Sequence, residues 1–111
     1  MKLEQVQYGT VLVLVPDRAL IEEDTDEFIR RVRECLQAGN VKIVLQLNGV
    51  PFIDSKGLEA LLVLYGEAMA SGGEIKISAP TDIGRDILKA TRLDNVFEVY
   101  GATPDARRSF V

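Results

Sequence analysis

The residues best suited to chemistry lie together in one short stretch, Asp54-Ser55-Lys56-Gly57. A loop marked by Asn48-Gly49 and Pro51 leads into it, and a long helix is predicted to follow. A serine at a helix start lies beside free backbone N–H groups and the positive end of the helix dipole, where a phosphate is readily received. Phosphorylation would add about −1.5 to −2 charges beside the Asp54 carboxylate. The stretch therefore predicts a phosphorylation site at Ser55 that switches binding.

A purely structural interpretation competes with the phosphorylation site. Asp is a good N-cap residue and Ser is tolerated in a first helical turn, so Asp54 and Ser55 could simply begin the helix. That interpretation leaves Gly57 unexplained, because a glycine in a helix costs about 0.5–1 kcal/mol relative to alanine. We therefore expect another group to approach Gly57 closely.

The composition argues against catalysis by this chain. Histidine is absent and Cys35 is the single cysteine, which excludes Ser-His-Asp and Cys-His sites and any His-built or multi-Cys metal site within one chain. Cys35 falls on the apolar stripe of a predicted helix and is assigned to the core. Lys56 acting as a general base is the one catalytic alternative that stays open. We predict a protein that is not an enzyme and that uses no cofactor or metal.

Charge and hydropathy argue against two classes of partner, nucleic acids and membranes. The chain has 13 basic and 17 acidic residues, and the pair Arg30-Arg31 is interleaved with acidic residues at helical spacing, which favours a solvated ion-pairing face over a nucleic-acid site. The longest apolar run, residues 11–15, is far shorter than the roughly 20 residues of a membrane-spanning helix. No leader pattern opens the chain, so we expect a soluble, cytoplasmic protein with no membrane insertion and no nucleic-acid partner.

Strand and helix patterns alternate along the chain. A loose alternation over residues 2–7 predicts a hairpin strand, and the further predicted strands are residues 11–15, 41–47, 74–78 and 96–100. Four helices are predicted. The first is capped by Asp24 or Thr25 and stops at Gly39, and the second spans residues 55–71. The third is capped by Thr81 or Asp82, and a short fourth helix begins at Pro104. Such alternation indicates an α/β fold whose central sheet is mostly parallel, with right-handed crossovers.

The long helix contains more apolar residues than one buried face requires. Its predicted buried face holds Leu58, Leu61, Leu62, Tyr65, Ala68 and Met69, and its predicted outer face holds Ala60, Val63, Leu64, Gly66 and Ala70. Charge interrupts the outer face only at Glu59 and Glu67. Two explanations stay open: the outer face binds a partner, or a neighbouring helix covers Val63 and Leu64.

Over nearly its whole length the chain resembles the STAS domain family, the domain of sulphate transporters and anti-sigma factor antagonists, and within it the single-domain antagonists. The most specific match is the Asp-Ser-x-Gly-Leu motif at residues 54–58, which Phe52 and Ile53 precede. Further matches are Gly72-Gly73, Ala79-Pro80, Leu88 and residues 93–97. The resemblance implies one STAS-like domain over residues 1–111, with about five strands, an N-terminal hairpin strand and about four helices packed against the sheet. A Gly-x-Leu-Asp segment, usual in the family after the second strand, is replaced here by residues 16–22.

The resemblance also implies a function. In the family, an anti-sigma factor that is also a serine kinase phosphorylates the serine that corresponds to Ser55. The unphosphorylated antagonist binds this kinase and frees the sigma factor for RNA polymerase, whereas the phosphoprotein is released until a protein phosphatase restores it. ATP and Mg²⁺ belong to the kinase, and this chain is its substrate. The partner-binding residues assigned on this basis are Asp54, Lys56, Gly57, Glu59, Ala60 and Val63.

Other members of the family are scaffolds in signalling complexes or accessory subunits of lipid transporters, and some of them are never phosphorylated. The alternative function is therefore a constitutive interaction subunit. In that case Asp54 and Ser55 only cap a helix, and Val63 and Leu64 contribute more to binding.

Overall fold

One five-stranded sheet organises the computed structural model, which describes residues 1–110. Its strands are β1 (Leu3–Tyr8), β2 (Val11–Pro16), β3 (Lys42–Gln46), β4 (Glu74–Ser78) and β5 (Val99–Tyr100). They lie side by side in chain order. β1 and β2 form an antiparallel hairpin that turns at Gly9, where φ is +60°, and β2 to β5 run parallel. The fold is the predicted α/β class with a mostly parallel sheet.

Helices connect the parallel strands, as crossovers require. They are α1 (Glu22–Gln37), α2 (Ser55–Ala70), α3 (Asp82–Ala90) and α4 (Thr103–Arg108), and a 3₁₀ turn at Leu93–Asn95 precedes β5. The Thr81 hydroxyl accepts a hydrogen bond from the Gly84 N–H at 2.9 Å, which confirms Thr81 as the cap of α3. Gly72, with φ +83°, follows the end of α2, and Pro104 lies in the first turn of α4.

The two faces of the sheet are buried by different helices because side chains alternate along each strand. On one face, residues such as Leu12, Ile43 and Ile75 pack with α1, α2 and α3 in the main core. On the other face, Val11, Val13 and Val44 pack with Ala106 of α4. Cys35 is buried in the main core as predicted, and burial raises the pKa of its thiol. Helices α1 and α2 therefore rest on the same continuous core.

The helix layer is held together by charge as well as by apolar packing. Arg33 of α1 donates two hydrogen bonds to the Glu67 carboxylate of α2, at 2.8 and 2.6 Å, and this pairing lowers the pKa of Glu67. On the solvent side of α1, Arg30 pairs with Glu34 at 3.0 Å, which confirms the predicted ion-pairing face. Within residues 1–110, no helix has the length and apolar character needed to cross a membrane.

The last strand is shorter than predicted. The pattern predicts a strand over residues 96–100, but only Val99 and Tyr100 pair with β4. The N–H groups of Val96 and Phe97 instead donate to the Leu93 carbonyl, at 3.0 and 2.9 Å. The 3₁₀ turn thus uses the backbone groups that a longer strand would need, while the Phe97 side chain fills the core.

The predicted faces of α2 are partly wrong. Ala60 and Leu64, predicted to lie outside, are 1% and 0% exposed, whereas Leu62 and Met69, predicted to lie inside, are 42% and 51% exposed. The buried residues of the helix are Gly57, Ala60, Leu61, Leu64 and Ala68. Three of these five are glycine or alanine, and their small size lets α2 lie close to its neighbours. Leu64 belongs to the same buried cluster as α1 residues, while Val63 stays 46% exposed.

Candidate functional site

The N-terminus of α2 is built around Asp54 and Ser55. Asp54 is the N-cap residue, with extended φ and ψ of −89° and −177°, and its Oδ1 accepts a hydrogen bond from the Gly57 N–H at 2.8 Å. Ser55 is the first helical residue and is exposed to solvent. Its hydroxyl makes no hydrogen bond within residues 1–110, and the N–H groups of Ser55 and Lys56 have no acceptor there either. The predicted cap is confirmed, and Ser55 is an exposed residue whose hydroxyl is not used by the fold within residues 1–110.

The Asp54 carboxylate also caps a second helix. Its other oxygen, Oδ2, accepts a hydrogen bond from the Glu22 N–H at 2.9 Å, and Glu22 is the first residue of α1. The sequence predicts Asp24 or Thr25 as the cap of α1, and that prediction is wrong. The residue before the helix, Ile21, has no side chain that can cap, so a carboxylate 32 positions away satisfies the free N–H. One side chain therefore joins the starts of α1 and α2.

The loop after β2 is bonded directly to the segment before Ser55. The Leu20 N–H donates to the Phe52 carbonyl and the Asp54 N–H donates to the Leu20 carbonyl, both at 3.0 Å, and Leu20 forms a parallel bridge with Ile53. At the start of this loop, Asp17 accepts a hydrogen bond from the Lys2 N–H at 2.9 Å, which together with Arg18 lowers the pKa of Asp17. The loop is thus tied to the sheet at its start and to the N-terminus of α2 at Leu20.

This contact explains Gly57. A Cβ atom placed on Gly57 would overlap the Leu20 carbonyl oxygen and lie 2.9 Å from Cγ2 of Ile53. The close approach expected from the sequence is therefore confirmed, and the group that approaches is the chain's own backbone. Gly57 is required by the fold and gives no independent evidence of a bound partner.

The predicted site residues divide into an exposed group and a buried group. Ser55, Lys56, Glu59 and Val63 lie towards solvent, and Lys56 pairs with Glu59 at 3.5 Å. Asp54 is partly buried, while Gly57 and Ala60 are buried and present no side chain to solvent. The assignment of Ala60 to a contact surface is therefore inconsistent with its burial beneath α2.

The structure adds one residue that sequence reasoning does not assign to the site. Phe52 is 48% exposed and lies three positions before Ser55. A phenylalanine beside Ile53 is expected to be buried, so no sequence signal distinguishes it from a core residue. We use the name Ser55 surface for the exposed residues Phe52, Ser55, Lys56, Glu59 and Val63.

The charged groups next to Ser55 are already engaged in contacts with other groups of the chain. No histidine exists in the chain, both oxygens of Asp54 accept backbone hydrogen bonds, and Lys56 is paired with Glu59. No cluster within residues 1–110 contains three metal-ligating side chains of the His, Cys, Asp or Glu types. Within residues 1–110, no group beside Ser55 is arranged to activate its hydroxyl.

Comparison with known proteins adds relatives of similar length. A model of the STAS domain matches residues 2–106. A candidate anti-sigma factor antagonist of Thermotoga maritima is 30% identical over 97 residues, which cover 86% of both chains. The crystal structure of a candidate anti-sigma factor antagonist from the same organism superposes with a TM-score of 0.91 at 27% identity, over 96% of this chain and 92% of the other.

A more distant comparison concerns the fold alone. The anti-sigma factor antagonist SpoIIAA, solved in its unphosphorylated form, is 15% identical with a TM-score of 0.81 over 99% of each chain. A phosphorylated form of SpoIIAA from Bacillus is 14% identical with a TM-score of 0.74, over 99% of this chain and 100% of the other. Both forms share the sheet and helix arrangement of this chain.

Proposed function

This chain belongs to the STAS domain family, and from that premise we propose that it is an anti-sigma factor antagonist whose binding is switched by phosphorylation of Ser55. The observation that carries the proposal is the position of Ser55. It is the exposed first residue of α2, and its hydroxyl has no structural role within residues 1–110. The names of the Thermotoga maritima relative and of the crystal structure from the same organism support the antagonist part of this assignment.

In the proposed mechanism, phosphorylation changes the surface and leaves the fold intact. A phosphate on Ser55 would lie at the positive end of α2, near the N–H groups of Ser55 and Lys56, so the helix tolerates it. It would also place a second anionic group beside Asp54. A partner that buries this surface against its own apolar or acidic groups would then have to desolvate both charges, which opposes binding.

The proposed partners are proteins. In its unphosphorylated state the chain sequesters an anti-sigma factor that is also a serine kinase, and transcription is regulated indirectly through the sigma factor that is released. The kinase supplies ATP and Mg²⁺, and a protein phosphatase removes the phosphate from Ser55. The chain itself is proposed to act in the cytoplasm as substrate and ligand and to catalyse no reaction, in keeping with the absence of histidine.

A second candidate function is a constitutive interaction subunit of a signalling scaffold or lipid-transport complex. The observation in its favour is the exposed apolar face of α2. Leu62, Val63 and Met69 are between 42% and 51% exposed, and Gly66 lies among them on the outer side of the helix. Such a face could bind a partner whatever the state of Ser55.

Substitution of Val63 tests where on α2 the partner binds. We expect Val63→Glu to weaken partner binding by at least about tenfold, because a charge would be buried in an apolar contact. Met69→Glu is the matched control, since it introduces the same charge on an exposed residue of the same helix, nearly two turns further on. Calorimetric titration of the purified partner measures both. If Met69→Glu lost more partner affinity than Val63→Glu, the partner would bind the C-terminal half of α2 and not the Ser55 surface.

The state of Ser55 separates the two candidates. The switch predicts that Ser55→Asp and Val63→Glu both weaken binding. The constitutive subunit predicts that only Val63→Glu does so.

A further inference from the structure

A cleft of about 410 Å³ opens between α3 and the segment that leads into β5. Leu88 and Phe97, which are 1% and 2% exposed, form an apolar part of its lining, and Val96 is 38% exposed beside them. No residue of the Ser55 surface lines it. The volume lies within the range of about 300–1,000 Å³ in which small-molecule sites fall. The cleft is therefore large enough for a ligand and separate from Ser55.

The α3 wall of the cleft is positively charged. Arg85 and Lys89 are four positions apart on α3, so their side chains lie on one side of the helix. Within residues 1–110, neither forms an ion pair with a carboxylate. Two cations beside an apolar lining suit a ligand that has an anionic head and an apolar body.

The acidic residues of the lining limit how much negative charge the ligand can have. The Glu98 carboxylate accepts a hydrogen bond from the Tyr100 hydroxyl at 2.6 Å and pairs with Lys76 at 3.3 Å, and these contacts lower its pKa. Asp94 is the other carboxylate of the lining. Since Lys76 balances Glu98, the two cations of α3 exceed the remaining acid, Asp94, by one charge. A monoanion is matched by this surplus, whereas the negative charge of a polyanion such as a nucleoside triphosphate exceeds it.

We propose that this cleft binds a small organic monoanion with an apolar body, of the acyl- or aryl-carboxylate class. The carboxylate contacts Arg85 and Lys89, and the apolar body lies against Leu88, Val96 and Phe97. The Phe97 ring itself packs edge-on against Tyr65 of α2, with centroids 4.9 Å apart and an interplanar angle of 62°. The lining is thus fixed by the core. The proposal is independent of Ser55 and of any protein partner.

The test uses octanoate as the probe, titrated into the isotope-labelled full chain and followed by amide chemical shifts. Octanol has the same apolar body without the charge and serves as the ligand control. We expect saturable shifts from octanoate centred on α3 and residues 94–99, and binding of octanol at least about tenfold weaker. ATP is the polyanion control and is expected to bind more weakly than octanoate.

Charge-removing variants complete the test. Arg85→Gln and Lys89→Gln are each expected to weaken octanoate binding about tenfold, because each removes one charge-assisted contact. Arg30→Gln removes the same charge from the exposed side of α1 and is expected to bind octanoate as the wild type does. Lys89 is exposed, so its variant gives a result even if Arg85→Gln fails to fold.

Four results would overturn the proposal. Two concern the ligands: equal affinity for octanoate and octanol, or tighter binding of ATP than of octanoate. The third is unchanged octanoate binding in folded Arg85→Gln and Lys89→Gln. The fourth is the absence of saturable amide shifts at α3 and residues 94–99 when octanoate is added.

Discussion

Ser55→Asp is expected to weaken the proposed complex with an anti-sigma factor by at least about a hundredfold, whereas Ser55→Ala is expected to bind as tightly as the wild type. A hundredfold loss corresponds to about 3 kcal/mol of differential affinity, which one buried, unpaired charge can supply. The aspartate places a permanent negative charge where the phosphate would be added, beside the Asp54 carboxylate. Ser55→Ala removes only the acceptor oxygen, so this variant should stay bound and take up no phosphate.

Neither substitution is expected to disturb the fold, so the difference can be assigned to the interface. Ser55 is exposed, and its hydroxyl makes no hydrogen bond within the described part of the chain. An aspartate in the first turn of a helix is mildly favourable, because it interacts with the positive end of the helix dipole. Thermal unfolding of both variants should therefore match that of the wild type.

The matched control for charge is Ser71→Asp. Ser71 is an exposed serine that follows the last residue of α2, so the same substitution is made at the opposite end of the same helix. Calorimetric titration of the anti-sigma factor should show normal affinity for this variant. Equal binding by Ser55→Asp and Ser55→Ala would exclude the switch. Equal losses for Ser55→Asp and Ser71→Asp would show a general effect of net charge.

Alanine substitution of two glycines in α2 is expected to change stability in opposite directions. Gly57→Ala should lower the free energy of unfolding by about 1–3 kcal/mol, because its Cβ would overlap the Leu20 carbonyl oxygen and force the loop away from α2. Gly66→Ala should raise it by about 0.5–1 kcal/mol, because a Cβ there meets no atom within 4 Å and alanine favours the helix. Both variants replace glycine with alanine in the same helix, so helix propensity alone would raise the free energy of unfolding in both.

Chemical denaturation monitored by circular dichroism measures both changes. Stabilisation by Gly57→Ala would contradict the tight packing of the Leu20 loop against α2. A destabilised Gly66→Ala would mean that the outer side of α2 is covered in solution. If Gly66→Ala is more stable yet binds the partner less well, the partner approaches α2 closely at that position.

The site can be predicted from the sequence where its structure depends on neighbours in the chain. The N-cap role of Asp54 and the start of α2 at Ser55 follow from residue types within one helical turn. The position of Gly57 indicates a close contact, since no local reason favours glycine there. The parallel order of the sheet follows from the alternation of strand and helix patterns.

The rest depends on contacts between distant residues, which no local pattern encodes. Local signals place the cap position of α1 three or four residues too late, because the capping group is the Asp54 carboxylate at the start of α2. They assign Ala60 and Leu64 to the outer face of α2, since periodicity locates an apolar stripe but not its centre. They also predict β5 too long, because the 3₁₀ turn takes the backbone groups of Val96 and Phe97.

Modification of Ser55 in the native host tests the central claim most directly. The protein would be isolated from cells in growth and under stress, its intact mass measured, and the peptide that contains residues 54–57 sequenced by mass spectrometry. The proposed function predicts that Ser55 is the site of phosphorylation and that the fraction of chains phosphorylated there differs between the two conditions. An unmodified Ser55 in both conditions, or a phosphate found only on another residue, would contradict the switch and favour the constitutive interaction subunit.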